Sequence, residues 1–195
     1  PVAIPGGGGG PPTIADYDGD HLPEIGVAGQ AYYTVFDVDC VSPRPGGTCD
    51  PGGDGCDDGM GGKVACPAGI LWRRATQDIS SNITGSSVFD FEGDGKAEVV
   101  YADECFTRVY DGADGDVLFS QYSSSCTWYE NPIVADTDRN YRADLVTPSN
   151  LACSPAGAGI ACTKTVEAGG IDQQFPGVRC MEAADCVSGT CDMGF

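Results

Sequence analysis

Three short acidic stretches with one shared spacing constrain this chain more than any other feature. They span residues 16–25, 90–99 and 136–145, and we call them the first, second and third loop. In each loop, side chains that carry oxygen occupy positions 1, 3, 5 and 9, and an apolar strand pattern follows. Two carboxylates about 4 Å apart repel by roughly 4 kcal/mol at an effective dielectric near 20. Loops of this kind therefore need a counter-charge.

The spacing is typical of a loop that binds calcium. A hard cation such as Ca²⁺ takes about six to eight oxygen ligands, and a tight loop turns alternate side chains inward. Position 7 contributes its main-chain carbonyl in this scheme. The predicted ligands are Asp16, Asp18, Asp20, Leu22 and Glu24; Asp90, Glu92, Asp94, Lys96 and Glu98; and Asp136, Asp138, Asn140, Arg142 and Asp144. The sequence predicts about three Ca²⁺ ions, one in each loop.

The competing interpretation is that these stretches are ordinary turns, because Asp and Gly favour turns for backbone reasons alone. Three copies in one phase, each followed by a strand pattern, favour the metal loop. The last acid follows the third ligand much sooner than the Glu of a helical EF-hand loop does. We therefore expect strands, and not helices, on both sides. A weak further metal site at Asp50, Asp54, Asp57 and Asp58 is disfavoured against solvated loop acids.

The loops belong to a longer repeat. Asp16 and Asp90 are 74 residues apart, and Asp90 and Asp136 are 46 apart. The flanking apolar residues match at the first offset, as Ile14 with Val88 shows. Each unit reads as strand, loop, strand, turn, strand, Asp-Gly hairpin and strand, which predicts a blade of four antiparallel strands. The chain has 29 Gly and 13 Pro among 195 residues and no sustained helical periodicity, so we predict an all-β protein.

The repeat sets the expected domain boundaries. Residues 1–12 are a Gly/Pro-rich arm, which we interpret as a flexible connector. The first blade covers 13–85 and carries a Cys-rich hairpin insert at 39–67. The second blade covers 86–127, and a partial third blade covers 128–166. Residues 167–195 form a Cys-rich tail, which we expect to be the truncated opening of a separate module.

Eleven cysteines in this length predict disulfides and an oxidising compartment. Zinc is the alternative, but His21 is the only histidine and the cysteines lack a paired Cys-x-x-Cys set. Among the three pairings open to the insert, we predict Cys40 with Cys66 and Cys49 with Cys56. Cys105 and Cys126 should bridge the second hairpin. The remaining cysteines are Cys153, Cys162, Cys180, Cys186 and Cys191, and the odd total leaves one partner outside this chain.

The charge and hydropathy of the chain exclude several classes of partner. A net charge of −19 argues against nucleic acid and anionic membranes, which attract Lys and Arg clusters. The sequence contains no run of 18 apolar residues, so it predicts no membrane-spanning helix. Asn82 begins an N-glycosylation sequon, although such sequons also arise by chance. Because the chain begins at Pro1 without a signal peptide, we expect a processed or trimmed piece.

Over about residues 12–150, the loops and their Val/Ile strands resemble the FG-GAP and VCBS repeats of extracellular β-propellers, including the integrin α-subunit head. The resemblance implies that each ion sits between the first two strands of a blade and staples them, through the ligands named above. His21 and Tyr141 stand where the family usually has Gly, and Arg139 replaces another Gly, so the third site should be the weakest. Residues 180–191 resemble the Cys-rich motifs appended to secreted bacterial repeat proteins.

The number of blades is smaller than a propeller requires. Propellers close with roughly four to eight blades, and this chain supplies about three. The predicted fold is therefore all-β, with about three four-stranded antiparallel β-propeller-like blades, calcium-binding loops and disulfide staples. We therefore expect one of three arrangements. The chain is part of a longer propeller, its blades stack as an open array, or other chains complete the propeller.

These features predict a secreted or cell-surface module that calcium stabilises and that has no catalytic residues. It would serve adhesion or bind an extracellular glycan or protein ligand. A first alternative is a self-assembling structural subunit of an extracellular fibre or sheath, because unpaired sheet edges favour assembly. A second is a fragment of a propeller like those of rhamnogalacturonan-type polysaccharide lyases. Against that reading, the sequence offers no nucleophile motif, and its one histidine lies inside a metal loop.

Overall fold

The computed structural model describes residues 3–42, 44–47, 49, 55–60, 62–76, 78, 81–123, 125 and 129–148. Its strands are β1 (Thr13–Ala15), β2 (Glu24–Ala28), β3 (Tyr32–Phe36), β4 (Cys56–Asp57), β5 (Lys63–Val64), β6 (Ile70–Ala75), β7 (Ser86–Phe89), β8 (Glu98–Ala102), β9 (Phe106–Tyr110), β10 (Val117–Tyr122), β11 (Ile133–Ala135) and β12 (Asp144–Val146). Over the described residues the chain forms no helix, which confirms the all-β class. It follows that this part of the chain holds no helix suited to crossing a membrane.

The strands form three sheets, and none of them closes into a barrel. The first sheet has the order β1-β2-β3-β6-β4-β5, the second β7-β8-β9-β10, and the third pairs β11 with β12. We call β1, β2, β3 and β6 the first unit, β7 to β10 the second unit, and β11 with β12 the third unit. Neighbouring strands within each unit are antiparallel. The first two units are therefore four-stranded, and the described residues of the third form one hairpin.

The three units share one hairpin register. Ile14 pairs with Ile25 in the first unit, and Val88 pairs with Val99 in the second. Val134 pairs with Leu145 in the third unit, at the equivalent place. These positions are β-branched or leucine, which suits a pleated and half-buried surface. Each acidic loop is consequently carried on the same two-stranded stem.

The first and second units also share a bulge, because the last strand of each contains one extra residue. Leu71 lies between the partners of Val35 and Phe36 in β6, and Leu118 lies between the partners of Val109 and Tyr110 in β10. Such bulges increase the local twist of a strand. The first two units thus share their irregularities as well as their pairing.

Successive units stack through apolar faces. Tyr17, Tyr33 and Trp72 of the first unit pack with Tyr101 and Tyr110 of the second in one buried cluster. The ring centroids of Tyr33 and Tyr101 are 5.2 Å apart, and those of Tyr33 and Trp72 are 5.7 Å apart. Offset aromatic pairs of this kind add about 0.5–1.5 kcal/mol beyond the area that they bury. The first two units therefore share one aromatic core.

The opposite face of the second unit repeats this arrangement against the third. Val109 and Phe119 are buried there and pack with Val134 and Leu145 of the third unit. Phe119 occupies the place in its strand that Trp72 occupies in the first unit. The second unit thus packs against the first unit with one face and against the third unit with the other.

The disulfides predicted for the insert are wrong. The structure pairs Cys40 with Cys49 and Cys56 with Cys66, instead of Cys40 with Cys66 and Cys49 with Cys56. The reason is tertiary, because β4 leaves the predicted hairpin and lies beside β6, with Cys56 opposite Arg73. The Arg73 guanidinium donates to the Asp57 carbonyl at 2.6 Å and fixes β4 in that place. Each bridge then closes a short local loop.

The other predicted bridges fall largely outside the described residues. Cys105 is disulfide-bonded, but its predicted partner Cys126 lies outside them. The same holds for the end of the third blade, for the Cys-rich tail, and for Cys153, Cys162, Cys180, Cys186 and Cys191.

The glycine arm is packed against the first unit instead of forming a free connector. The Gly9 N–H donates to the Asn82 carbonyl at 2.9 Å, and the Gly10 N–H donates to the Ala28 carbonyl at 2.9 Å. A Cβ at Gly10 would lie 1.9 Å from the Thr84 carbonyl oxygen, so only glycine allows this approach. In the sequon, Asn82 is half-buried and the Thr84 hydroxyl donates to Asp78 at 2.7 Å. Glycosylation of Asn82 stays a prediction.

Candidate metal centre

The acid at position 1 organises the backbone of every loop. Asp16 accepts hydrogen bonds from the N–H groups of Gly19 at 2.7 Å and His21 at 2.9 Å. Asp90 accepts from Gly93 at 2.6 Å and Gly95 at 2.9 Å, and Asp136 accepts from Asn140 at 3.0 Å and Tyr141 at 2.9 Å. The shared spacing therefore folds into one shared loop.

The acid at position 9 reaches back to close each loop. Glu24 accepts from the Tyr17 N–H at 2.7 Å, Glu98 from the Phe91 N–H at 2.7 Å, and Asp144 from the Thr137 N–H at 2.8 Å. In the first loop, one oxygen from each of Asp16, Asp18 and Glu24 lies within 4.8 Å of the others. Asp136, Asp138 and Asp144 are gathered equally closely in the third loop. Among the described residues, Asp90, Glu92 and Glu98 of the second loop are not gathered this closely.

The residues at positions 5 and 7 are linked in each loop. The N–H groups at position 7 donate to the oxygen at position 5: Leu22 to Asp20 at 2.7 Å, Lys96 to Asp94 at 2.9 Å, and Arg142 to Asn140 at 2.8 Å. The ligand role predicted for the carbonyls of Leu22, Lys96 and Arg142 stays a prediction.

Positions 4 and 6 have left-handed backbone in all three loops. Any side chain other than glycine is strained there, by roughly 1–2 kcal/mol per residue. The second loop has glycine at both places, the first loop at one, and the third loop at neither. The φ values are 83° at Gly19 and 70° at His21, 73° at Gly93 and 91° at Gly95, and 65° at both Arg139 and Tyr141. The residues other than glycine at these positions, His21, Arg139 and Tyr141, are therefore sites of backbone strain.

The three position-9 carboxyls differ in burial. Burial raises the pKa of Glu24 to about 8, and the nearby Asp18, Asp20 and Asp37 raise it further. Burial likewise raises the pKa of Glu98 to about 8, with Glu92 adding to the effect. Hydrogen bonds from Thr137 instead lower the pKa of the half-buried Asp144. The first two loops hold a carboxylate that is costly to ionise without a cation, and the third does not.

The first loop fits a cation because one of its buried oxygens has no donor. Glu24 is 0% exposed, its Oε2 accepts from Tyr17, and its Oε1 has no hydrogen-bond partner. A buried polar atom left unpaired costs about 1–3 kcal/mol. Hard cations are satisfied by carboxylate oxygens of this kind. The donor set around Glu24 therefore suits a divalent cation such as Ca²⁺.

Other acid clusters near the insert do not suit a metal. Cys40 and Cys49 lie close to Asp37, but they form a disulfide and have no thiolate to offer. Asp57 accepts from the Ala75 N–H at 2.7 Å, and Asp58 accepts from the Gly62 N–H at 2.9 Å. These two acids already have protein donors, while Asp50 and Asp54 lie outside the described residues.

Sequence reasoning missed Asp37, which directly follows β3 and is 1% exposed. It lies close enough to Asp18 and Asp20 for their charges to raise its pKa, after the larger effect of burial. A signal was present in the repeat, because Asp37 aligns with Asp111 at the same offset of 74 residues. Its position outside the loop spacing hid its relation to the site.

No protein-family model matches this chain, and no curated protein matches it. Among solved structures, the chain is similar to the V. cholerae biofilm matrix protein Bap1, with 30% sequence identity and a TM-score of 0.46. The similarity covers 66% of this chain and 17% of that protein's chain.

Proposed function

We propose that the chain is an extracellular, non-catalytic module of FG-GAP/VCBS type, which calcium stabilises and which serves adhesion or binds a glycan or protein ligand. The observation that carries the calcium part is the unpaired, buried Oε1 of Glu24 in a loop that the chain builds three times. Bound Ca²⁺ supplies the positive charge that the gathered carboxylates lack. The side-chain oxygens at positions 1, 3, 5 and 9 of each loop would hold it, with Asn140 supplying an amide oxygen in the third loop.

Contacts between the loops support a role in holding the units together. The Asp16 carbonyl in the first loop accepts from the Ala97 N–H in the second loop at 2.9 Å. A Cβ at Gly112 would lie 2.2 Å from the Ala97 carbonyl oxygen and 2.7 Å from that of Tyr17. The backbones of both loops and of the second hairpin thus meet at one junction. An ion that fixes the first loop would also fix the stacking of the first two units.

The disulfides support an extracellular location. The two described bridges cross-link a segment whose own strands have only two residues each. Disulfides of this kind persist in oxidising compartments. In the chain-entropy model, a closed loop of about ten residues contributes roughly 2.5–3 kcal/mol. Reducing conditions would therefore weaken the insert, and they would also break the bridge at Cys105 in the second unit.

The insert is the segment that we assign to ligand contact. It projects from the edge of the first sheet beyond β6, and loops on rigid strands commonly carry recognition. Val41 and Met60 expose their apolar side chains on this insert. A glycan or a protein surface would both suit such a mixed acidic and apolar loop.

Thermal unfolding of the full chain in calcium and in chelator tests the calcium part of this proposal. We expect a lower melting temperature in chelator, and identical curves would overturn it. Binding to an array of glycans and extracellular proteins, in calcium and in chelator, tests the recognition part. Ligand binding that persists after the insert disulfides are reduced would count against the insert as the binding site.

A structural subunit is the second candidate function, and one observation favours it. In the second unit, Val88 and Val99 are covered by the first unit. Their equivalents in the first unit, Ile14 and Ile25, are 65% and 37% exposed. A further unit from another copy of the chain would cover this face in the same manner. Size-exclusion chromatography and negative-stain images in calcium test this, and monomers at all concentrations would count against it.

A further inference from the structure

Asp37 lies opposite Glu24, the buried acid of the first loop. Ile25 pairs with Phe36 in the antiparallel register of β2 and β3, so the next step sets Glu24 across from Asp37. Residues in opposed positions point to the same face, with Cβ atoms roughly 4.5–5.5 Å apart. Glu24 is 0% exposed and Asp37 is 1% exposed. The extended register therefore places two buried acidic residues at opposed positions of neighbouring strands.

Among the residues that the structure describes, no hydrogen-bond donor reaches one oxygen of each of these two carboxyl groups. Glu24 Oε1 has no hydrogen-bond partner. Asp37 Oδ1 accepts from the Asp39 N–H at 2.7 Å, while its Oδ2 lies 3.2 Å from the Cys40 sulfur. That sulfur belongs to the disulfide with Cys49, so it has no proton to donate. A pair of opposed, buried and unsatisfied oxygens is the arrangement that a hard cation relieves.

The neighbouring Asp39 is not available for the same purpose. The Arg44 guanidinium donates to both of its oxygens, from Nε to Oδ1 at 2.6 Å and from Nη2 to Oδ2 at 2.7 Å. This two-point contact compensates the charge of Asp39. Asp37 is left as the acid of this segment that faces the first loop.

Asp18 and Asp20 connect Asp37 to the rest of the first loop. The charges of these two acids raise the pKa of Asp37, after burial and Asp39, and they raise the pKa of Glu24 as well. The four carboxyl groups therefore lie within one electrostatic field. A cation that neutralises the loop acids would also lower the cost of a charge on Asp37.

We propose that Asp37 is a further ligand of the cation in the first loop, supplied by the end of β3 instead of by the loop, and that it makes the first site the tightest of the three. This inference rests on the proposed calcium function. Affinity for Ca²⁺ rises with the number of charged ligands and with the rigidity of the site. The Cys40–Cys49 disulfide adds rigidity directly beside Asp37.

The second unit provides a matched control at Asp111. Val99 pairs with Tyr110, so Asp111 lies across from Glu98 as Asp37 lies across from Glu24. Asp111 is half-buried, and its Oδ1 accepts from the Ala113 N–H at 2.8 Å. Its greater exposure lets water satisfy its charge. An Asp111→Asn substitution therefore makes the same chemical change without removing a buried, unsatisfied oxygen.

Calorimetric titration of the chelator-treated full chain with Ca²⁺ tests the proposal. Glu24→Gln identifies the binding step that belongs to the first loop. Loss of an outer-shell partner weakens metal affinity by about 10–100-fold, so loss of a ligand should weaken that step by at least about tenfold. We expect this loss for Asp37→Asn in the same step, and no change in it for Asp111→Asn. An Asp37→Asn isotherm equal to that of the wild type would overturn the inference.

Melting temperatures in chelator separate a ligand from a structural residue. Asp37→Asn keeps an oxygen for the Asp39 N–H and removes a buried charge, so its melting temperature in chelator should equal or exceed that of the wild type. A marked decrease in chelator, repeated by Asp37→Ser, would show a structural role and overturn the inference. If the wild type binds no Ca²⁺ at all, the proposed function itself fails. If the wild type binds and only Asp37→Asn is without effect, the function stands and the assignment of Asp37 falls.

Discussion

The first and third loops are folded by the same hydrogen bonds but lie in different surroundings. Tyr17 at position 2 of the first loop is fully buried in the aromatic core, and Glu24 is buried beneath it. In the third loop, Thr137 at position 2 is exposed and Asp144 is half-buried. Water can satisfy the acids of the third loop, whereas the buried Oε1 of Glu24 in the first has no hydrogen-bond partner among the described residues. The comparison shows that spacing builds the loop, while packing decides how far its acids are shielded from water.

Backbone strain adds to the difference. The first loop contains one residue other than glycine with left-handed φ, His21, and the third contains two, Arg139 and Tyr141. The third loop is therefore more strained in its folded form, and on the proposed function it should depend less on a cation. Four experiments test this difference between the loops, beginning with calcium removal.

Removing calcium should have the largest effect and should act chiefly on the first loop. An ion at about 100 times its dissociation constant adds about 2.7 kcal/mol of stability. A chain of this size shifts by about 2–4 °C per kcal/mol, so we expect the melting temperature to fall by roughly 5–10 °C in chelator. Hydrogen exchange should show a greater loss of protection at amides 17–22 than at amides 137–142. Equal losses in the two loops would contradict the comparison.

Removing the charge at position 9 should separate the two loops next. Glu24→Gln keeps an acceptor for the Tyr17 N–H but removes the charge that the ion requires. We expect calcium affinity at the first loop to fall by at least about tenfold. Asp144→Asn, the matched change in the third loop, should weaken binding less. Calcium titrations of both variants check this, and a larger effect of Asp144→Asn would reverse the order of the sites.

Relieving strain in the third loop should stabilise it. Tyr141 is 97% exposed with a φ of 65°, so Tyr141→Gly removes strain and almost no packing. We expect a gain of about 1 kcal/mol at most, because glycine also loses more backbone entropy on folding. Gly95→Ala at the same position of the second loop should destabilise by a similar amount. Urea unfolding of both variants measures the difference, and changes of the same sign would refute the role of strain.

The pH dependence of the calcium-free protein is the fourth test, and it depends mainly on the burial of Glu24. Burial raises the pKa of Glu24 from 4.5 to about 8, so the folded protein keeps a proton that the unfolded chain releases. The associated stability is present below pH 4.5 and is lost as the pH rises toward 8. Melting temperatures in calcium-free buffer should therefore be higher at pH 5 than at pH 8, because the raised pKa of Glu24 acts between these two values. Glu24→Gln should flatten this pH dependence. An unchanged slope of melting temperature against pH would assign the dependence to other titrating groups.

Much of the fold could be predicted because repeats encode local geometry. The loop spacing and the apolar residues beside it, such as Ile25 and Val99, specify a hairpin whose register the structure shows in all three units. The Asp-Gly cluster that ends at Asp116 specified the turn before β10. Position-dependent features of this kind follow from side-chain alternation in strands and from turn chemistry.

The insert could not be predicted in the same way. Its strands β4 and β5 have two residues each, too few for a periodic signal. The Arg74 guanidinium donates to the carbonyls of Gly55, Asp114 and Gly115, and thereby joins the insert to the second hairpin. Those contacts connect segments that are 19 to 41 residues apart. The disulfide pairing follows from this placement, so the prediction that Cys40 pairs with Cys66 around a Cys49–Cys56 bridge was wrong.

The local sequence specifies three acidic loops on short antiparallel hairpins, because the constraints act within ten residues of chain. Long-range packing buries Glu24 and Asp37 at opposed strand positions and leaves Asp144 half-exposed. Burial depends on which unit packs against which face, and that is set by residues far away in the chain. The same loop spacing therefore leaves its acids shielded from water to different degrees in the first and the third loop.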